Sequence, residues 1–319
     1  MMKQARSHPD LVLSAASSVY VGRRRKNNED NIFFDGKILD VNRLEEPFRH
    51  AFENKECFFS AFAVCDGMGG EAAGEQASYL GVNSFGQWCG SIYRRGISNW
   101  EEECCEFFRK ANERVVHLSE TAGGYPGCTC SVLVFNHGQA YFANAGDSRI
   151  YLYRNDCLSQ LSTDHTLAQL NAQSGSRMHG GNALTRYLGM EDDDVDFQPS
   201  VGIPLDLCRD DLFLMCSDGL TDMLSDAEIQ AIIKENEREP LSVITEKLME
   251  AAMKAGGHDN CSIILIKSHE GREAASPSWD ETADETASSA SLKELLALAA
   301  ISAFLLLGIA VNLYFLFHR

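Results

Sequence analysis

Basic residues are scarce in this sequence, which has 28 Lys and Arg against 46 Asp and Glu and a net charge of −18 over 319 residues. A surface that binds nucleic acid needs clustered Lys and Arg, so nucleic acid is not an expected partner. The 11 cysteines include no Cys-x-x-Cys pair, and no His tract has the spacing of a zinc site. We therefore interpret the cysteines as reduced core thiols of a cytosolic protein.

A sustained apolar stretch is missing from the first residues, MMKQARSHPDLVLSAASS, so no signal peptide is predicted. The segment Leu295–Phe317 differs, because LLALAAISAFLLLGIAVNLYFLF contains no charged residue. As a helix it would reach about 34 Å, which is enough to cross the hydrocarbon core of a bilayer. The alternative is a buried core helix, but core helices rarely continue this long without a charge. The sequence thus predicts one C-terminal transmembrane helix over 294–317, as a single-pass anchor.

Composition also predicts the domain boundaries. Residues 268–293, SHEGREAASPSWDETADETASSASLK, are rich in Ser, Ala, Glu and Thr and lack apolar periodicity. This composition is typical of a flexible acidic linker. An N-terminal tail is predicted over 1–13. The remaining segment, 14–267, is predicted to form one folded domain, since a chain with 45% apolar residues can bury a core.

Within this segment, β-favouring apolar runs alternate with helical patterns. The predicted strands are 58–65, 128–135, 139–143, 149–153, 158–161, 212–216 and 262–267. The predicted helices are 74–88, 100–119, 225–235 and 240–255, the third opened by the Ser-x-x-Glu spacing of a capping box. The turn sequences NHG and RND join neighbouring strands as hairpins. Hairpins rather than βαβ units imply an α+β fold of largely antiparallel sheets with helices packed outside them.

Five strand ends carry a carboxylate, in most cases next to glycine. These acidic positions are Glu29-Asp30 before Ile32, Asp66-Gly67 after Cys65, Asp147 after Gly146, Asp218-Gly219 after Ser217, and Asp259 before Asn260. A single Asp-Gly after a strand is usually an ordinary turn. Five acidic termini in one chain instead indicate a shared site.

Carboxylates gathered without cations would repel each other and be driven toward protonation, so divalent ions are predicted among them. Oxygen ligands select Mg²⁺ or Mn²⁺ over zinc, and neither Cys nor His recurs at these strand ends. Two such ions bridged by one carboxylate suit in-line attack of a bound water on a phosphoryl group. The segment GRRRKNNED supplies Arg23, Arg24 and Arg25 as candidate partners for the phosphate oxygens, although one or two of the three are expected to face solvent.

Seven segments carry a family resemblance in their order along the chain. They are RKNNED (25–30), VCDGMGG (64–70), ANAGDSRIYLYR (143–154), LSTDHT (161–166), LTRYLG (184–189), FLMCSDGLTDML (213–224) and HDNCSIILI (258–266). Together they resemble the metal-dependent PPM (PP2C-type) protein serine/threonine phosphatases in their bacterial form. The resemblance implies an αββα fold, in which a central antiparallel β-sandwich has α-helices on both outer faces. It also implies a binuclear Mn²⁺ or Mg²⁺ centre at one end of the sandwich.

The resemblance assigns roles to individual residues in that centre. Asp66 is expected to bridge both ions, and Gly67 to offer one of them its backbone carbonyl. Asp218 and Asp259 are expected to bind one of the ions.

Four further residues complete the expected site. Glu29 and Asp30 would hold the ions' water molecules or touch an ion directly, and Arg25 would grip the substrate phosphate. Asp147 would help to bind a third, weaker ion, or else support the core as a turn residue.

The sequence departs from the family pattern at two places. Met68 stands where many eukaryotic members have a histidine considered a general acid, so the leaving-group proton must come from a metal-bound water or from elsewhere. His165, which lies near a family motif, is interpreted as structural. The stretch from Asp164 to Leu184 is shorter than the usual flap beside the active site, and its Asn, Ser and Gly content predicts a mobile loop.

The leading hypothesis is a membrane-anchored phosphatase that hydrolyses phosphoserine and phosphothreonine on proteins phosphorylated by a Ser/Thr kinase, with its catalytic domain in the cytoplasm. The alternative is an inactive member of the same fold that binds phosphoproteins, but such a copy would usually have lost Asp66, Asp218 or Asp259. A third reading, a membrane interaction protein that works through its linker and span, predicts that Asp66→Asn leaves the phenotype intact.

Overall fold

The computed structural model describes residues 11–39, 48–69, 73–122, 124–174, 181, 183–191 and 197–271. The chain divides into two units, residues 1–274 and residues 275–319. The predicted transmembrane helix 294–317 and all of the predicted linker after residue 271 lie outside the described residues. No helix among the described residues has the length and apolar character that crossing a membrane requires.

The described elements are mostly short strands. The strands are β1 (Leu11–Tyr20), β2 (Asn31–Phe34), β3 (Lys37–Ile38), β4 (Phe48–Cys57), β5 (Phe59–Cys65), β6 (Gly67–Met68), β7 (Gly127–Cys128), β8 (Cys130–Asn136), β9 (Gln139–Ala145), β10 (Arg149–Arg154), β11 (Cys157–Gln160), β12 (Ser200–Val201), β13 (Leu205–Asp206), β14 (Leu212–Cys216) and β15 (Cys261–Ser268). The helices are α1 (Ala73–Arg95), α2 (Trp100–Ala122), α3 (Leu167–Ser174), α4 (Asp218–Thr221), α5 (Asp226–Glu235) and α6 (Leu241–Ala255).

Two antiparallel sheets form the centre of the fold. The first has the strand order β11-β10-β14-β15-β1-β4. The second has the order β12-β9-β8-β5-β2-β3, and β13 also pairs with β9. The short strands β6 and β7 pair with each other. The expected antiparallel sandwich is therefore confirmed.

Three hydrophobic layers hold the sheets and helices together. Between the sheets, Phe135 packs edge-on against Phe62 and Phe213, with ring centroids 6.1 and 5.2 Å apart. The outer face of the second sheet is covered by α1 and α2, and the outer face of the first sheet by α5 and α6. Helices thus lie on both faces of the sandwich, as predicted.

Local signals in the sequence correspond to the observed turns and caps. The NHG turn joins β8 to β9, with His137 at φ 48° and Gly138 at φ 77°. The RND turn joins β10 to β11 in the same manner. Ser225 and Glu228 form the predicted capping box at the start of α5.

The structure corrects the sequence analysis in three places. The stretch predicted as a mobile loop contains α3, whereas residues 175–180 and 182 of that stretch lie outside the described part of the chain. The strands β1 and β4 were not predicted, and β1 begins at Leu11, before the expected start of the domain at residue 14. The helix α1 continues to Arg95, seven residues beyond its predicted end.

Candidate metal centre

Strand register brings the predicted acidic residues to one end of the sandwich. The ends of β2 and β5 pair, which places Asp30 beside Asp66. The ends of β14 and β15 pair likewise, which places Asp218 beside Asp259. Asp147 lies in the turn between β9 and β10. The five carboxylates, each of which lies close to the end of a different strand, thus converge.

The negative charges of neighbouring carboxylates act on Asp66. Burial raises the pKa of Asp66 well above its usual value, and the charges of Asp30, Asp218, Asp147 and Asp259 raise it further. Such a cluster binds protons unless cations compensate its charge.

The neighbouring carboxyl groups respond in the same direction. Burial, followed by repulsion from Asp222 and Asp259, raises the pKa of Asp218 to about 6. Burial also raises the pKa of Asp147 to about 7, with repulsion from Asp218 as the next cause. Near neutral pH the metal-free site therefore holds carboxyl groups that a divalent cation would deprotonate.

Asp30 is fixed from one side only. Its Oδ2 accepts hydrogen bonds from the hydroxyls of Ser217 and Ser262, each at 2.7 Å. Its Oδ1 is buried and meets no hydrogen-bond partner among the residues that the structure describes. Burial raises the pKa of Asp30 to about 7.

These observations test whether the residues fit metal ions. In the described part of the chain, the buried Oδ1 atoms of Asp30 and Asp218 both lack a hydrogen-bond partner. Among the described residues no three His, Cys, Asp or Glu side chains already stand in a ligating arrangement. Hard cations would satisfy the unpartnered oxygens and remove the repulsion, and an all-oxygen donor set suits Mg²⁺ or Mn²⁺. The residues therefore fit such ions.

The backbone at Asp66 is held on both sides. Its N–H donates to Thr129 Oγ1 at 2.9 Å, and its carbonyl accepts from the Thr129 N–H at 2.8 Å. A Cβ at Gly67 would lie 2.2 Å from the carbonyl oxygen of Gly74 and 2.6 Å from that of Glu29. Only glycine can occupy this position, because both contacts are to backbone.

Arg25 lies at the rim of the centre. Its guanidinium donates to Asp259 Oδ2 at 2.6 Å, and the side chains of Arg25 and Asp259 are 51% and 35% exposed. The arginine expected to bind phosphate is thus already positioned beside an expected metal ligand. The Glu29 backbone also belongs to this rim, since its N–H donates to Asn260 Oδ1 at 2.8 Å.

Sequence reasoning missed Asp222 as a member of the cluster. Asp222 is the C-cap residue of α4, and its charge helps to raise the pKa of Asp218 and of Asp147. The signal was present in SDGLTDML, because residues four positions apart lie on one face of a helix.

His165 belongs to the scaffold of the Asp147 turn. Its Nδ1 accepts from the Gly146 N–H at 3.1 Å, and its Nε2 lies 2.8 Å from Ser200 Oγ. Burial lowers the pKa of His165 to about 4. These contacts agree with its interpretation as a structural residue.

A family model described as Protein phosphatase 2C matches residues 34–171 and 195–261 of this chain. The chain belongs to the protein phosphatase 2C family. A curated relative, the protein phosphatase PhpP of Streptococcus pneumoniae serotype 2, is 30% identical over 258 residues, which cover 78% of this chain and 95% of PhpP.

Solved structures of protein phosphatase 2C relatives share the fold. The serine/threonine phosphatase PstP/Ppp of Mycobacterium tuberculosis matches with a TM-score of 0.65 and 25% identity, over 83% of this chain and 100% of that chain. The catalytic domain of PstP in complex with two manganese ions matches with a TM-score of 0.64 and 25% identity, over 82% and 100% of the two chains.

Proposed function

We propose that this phosphatase hydrolyses phosphoserine and phosphothreonine esters on proteins with two bound Mn²⁺ or Mg²⁺ ions, and that a third ion binds near Asp147. The observation that carries this proposal is the convergence of Asp30, Asp66 and Asp218, whose pKa values are raised, with Asp259 as a charged neighbour of all three. Two buried oxygens of this cluster also find no hydrogen-bond partner among the described residues. The two manganese ions bound by PstP support the choice of ion.

Each residue of the centre has a task in this proposal. Asp66, Asp218 and Asp259 would hold the ions, and the backbone carbonyl of Gly67 would complete the set. Bound ions supply charge neutralisation and an acidified water. Asp30, held by two serine hydroxyls, would orient that water with Glu29.

The phosphoryl group needs a cation from the protein as well. Arg25 forms an ion pair with Asp259 of the acidic cluster, and a guanidinium can bind two phosphate oxygens at once. An inactive phosphoprotein-binding protein is not favoured, because the full acidic set is present.

Arg25→Ala is expected to raise KM for a phosphothreonine peptide about 10- to 100-fold, because a charge-assisted hydrogen bond to phosphate is lost. A smaller fall in kcat is expected. Steady-state kinetics of the full chain in detergent with Mn²⁺ measure both constants. Arg94→Ala, an exposed cation near the end of α1, is the matched control. An unchanged KM would remove Arg25 from the phosphate site, and activity that survives EDTA would refute the metal mechanism.

We also propose that residues 294–317 anchor the phosphatase in the membrane, with the catalytic domain in the cytoplasm near substrates of a Ser/Thr kinase. The uncharged run Leu295–Phe317 supports the anchor.

Deletion of residues 294–319 is expected to move the protein from the carbonate-resistant membrane fraction to the supernatant. Immunoblotting of both fractions measures the shift, and protease treatment of spheroplasts reports the orientation. A truncated protein that stays in the membrane fraction would show that the run is not the anchor.

A further inference from the structure

The turn of residues 22–27 carries four consecutive basic residues, Arg23 to Lys26, at the rim of the metal centre. All four are exposed, in a chain with a net charge of −18. Arg25 is bound to Asp259. Within the described part of the chain, Arg23, Arg24 and Lys26 form no ion pair. Three cations beside the centre thus have no role in the site described above.

The side chain of Asn260 closes this turn at its base. Its amide nitrogen donates to the carbonyl oxygens of Val21 and Asn27, both at 2.9 Å. Its Oδ1 accepts from the Glu29 N–H at 2.8 Å. Asn260 is 4% exposed and directly follows Asp259 in the chain. One buried amide therefore fixes both ends of the basic turn relative to the expected metal ligand.

Backbone contacts also hold the basic turn next to the metal centre. Gly22 has φ 83°, and a Cβ there would lie 2.2 Å from the carbonyl oxygen of Asp259. The Arg23 N–H donates to the carbonyl oxygen of Gly257 at 2.8 Å. The turn is pre-organised by these contacts, so little backbone entropy is lost when a ligand binds to it.

We infer that Arg23, Arg24 and Lys26 recognise acidic side chains that flank the phosphorylated residue of the substrate. This inference rests on the phosphatase function proposed above. A peptide whose phosphate lies at Arg25 brings its neighbouring residues to the cations on either side, since consecutive Cα atoms are only about 3.8 Å apart. One exposed charge pair changes affinity about 1.4- to 5-fold, so three cations support roughly a ten-fold preference for an acidic peptide.

The test compares two phosphothreonine peptides that differ only in having Glu or Gln at the flanking positions. We expect the wild-type full chain with Mn²⁺ to show a kcat/KM about ten-fold higher for the Glu peptide. The turn variant, which combines Arg23→Gln, Arg24→Gln and Lys26→Gln, is expected to bring the ratio of the two kcat/KM values to about one. The matched control, Arg94→Gln, Arg209→Gln and Arg238→Gln, removes three exposed cations elsewhere and should keep the wild-type ratio.

Two results would overturn the inference: a wild-type ratio near one, or a ratio that the turn variant leaves unchanged. If wild-type enzyme hydrolyses neither peptide, the proposed function fails instead, and fluorescence anisotropy of both peptides with wild type and the turn variant still tests the inference. Reconstitution in phosphatidylcholine vesicles with and without phosphatidylserine examines a lipid-binding turn. A change in kcat/KM of the turn variant that occurs only in vesicles containing phosphatidylserine, and by the same factor for both peptides, would show that the basic turn binds lipid. That result would overturn the inference.

Discussion

Asp218→Asn is expected to lower kcat of the Mn²⁺-loaded enzyme by about 1,000-fold or more, because a neutral amide cannot replace an anionic metal ligand. Asp218 is the first residue of α4 and is separated from the end of β14 by Ser217 alone. Its buried Oδ1 has no hydrogen-bond partner within the described part of the chain. Steady-state kinetics with p-nitrophenyl phosphate measure the loss without any contribution from peptide binding.

A second measurement separates loss of a ligand from loss of the fold. The pKa of Asp218 is raised to about 6 in the folded state, above its value in the unfolded chain. Ionisation of Asp218 therefore lowers the free energy of unfolding once the pH exceeds the unfolded-state pKa, and the full loss of stability is present above about pH 6. At pH 7.5 in EDTA, Asp218→Asn should therefore leave Tm equal to or above that of the wild type. Mn²⁺ should raise the variant's Tm less than it raises the wild-type Tm.

Asp210→Asn is the matched control for this prediction. Asp210 is exposed and pairs with Lys267 at 3.0 Å, outside the acidic cluster. The kcat of the Asp210→Asn enzyme should stay within about two-fold of the wild-type value, since an exposed ion pair contributes little to the stability of the fold. Retention of kcat in Asp218→Asn would show that this carboxylate is not a ligand.

Gly219→Ala is expected to destabilise the protein by about 3 kcal/mol or more and to abolish Mn²⁺ binding. A Cβ at Gly219 would lie 1.9 Å from the carbonyl oxygen of Asn260 and 3.1 Å from the Cα of Cys261. These atoms are backbone, so no side chain can turn away to make room. The same displacement would separate Asp218 from Asp259, which lie on either side of this contact.

Gly90→Ala is the control for this prediction, and it is expected to change Tm in the opposite direction. Gly90 lies within α1 and a Cβ there would meet no atom within 4 Å. Alanine favours a helix over glycine by about 0.8–1 kcal/mol, so Tm should rise slightly. Thermal unfolding and calorimetric titration with Mn²⁺ measure both variants. A Gly219→Ala protein with wild-type Tm would contradict the close approach of the two backbones.

Sequence patterns predicted the fold where burial follows a simple period. The strand β5 is a continuous apolar run bounded by a turn, and α5 carries its own capping box. The strand β1 was not predicted because it is a central strand, buried on both faces, and half of its LVLSAASSVY sequence is Ser and Ala. The edge strand β4 was not predicted because its FRHAFENKEC sequence is largely polar.

The site was predictable to the same extent. Aspartates next to glycine at strand ends gave a local signal, so Asp66 and Asp218 were found from the sequence. The serines that fix Asp30 gave none, because Ser262 lies 232 positions away and meets Asp30 only in the folded chain. Asn260 was visible only as the neighbour of Asp259, and its closure of the basic turn depends on tertiary contacts.

The position of β15 has a consequence for biosynthesis. This last described strand lies between β14 and β1, in the interior of the first sheet. A nascent chain therefore cannot close that sheet until Ser268 has left the ribosome, and it also lacks Asp259 until nearly the same moment. Until then β1 and β14 each expose an unpaired edge, so the growing polypeptide depends on rapid completion or on chaperones to avoid aggregation.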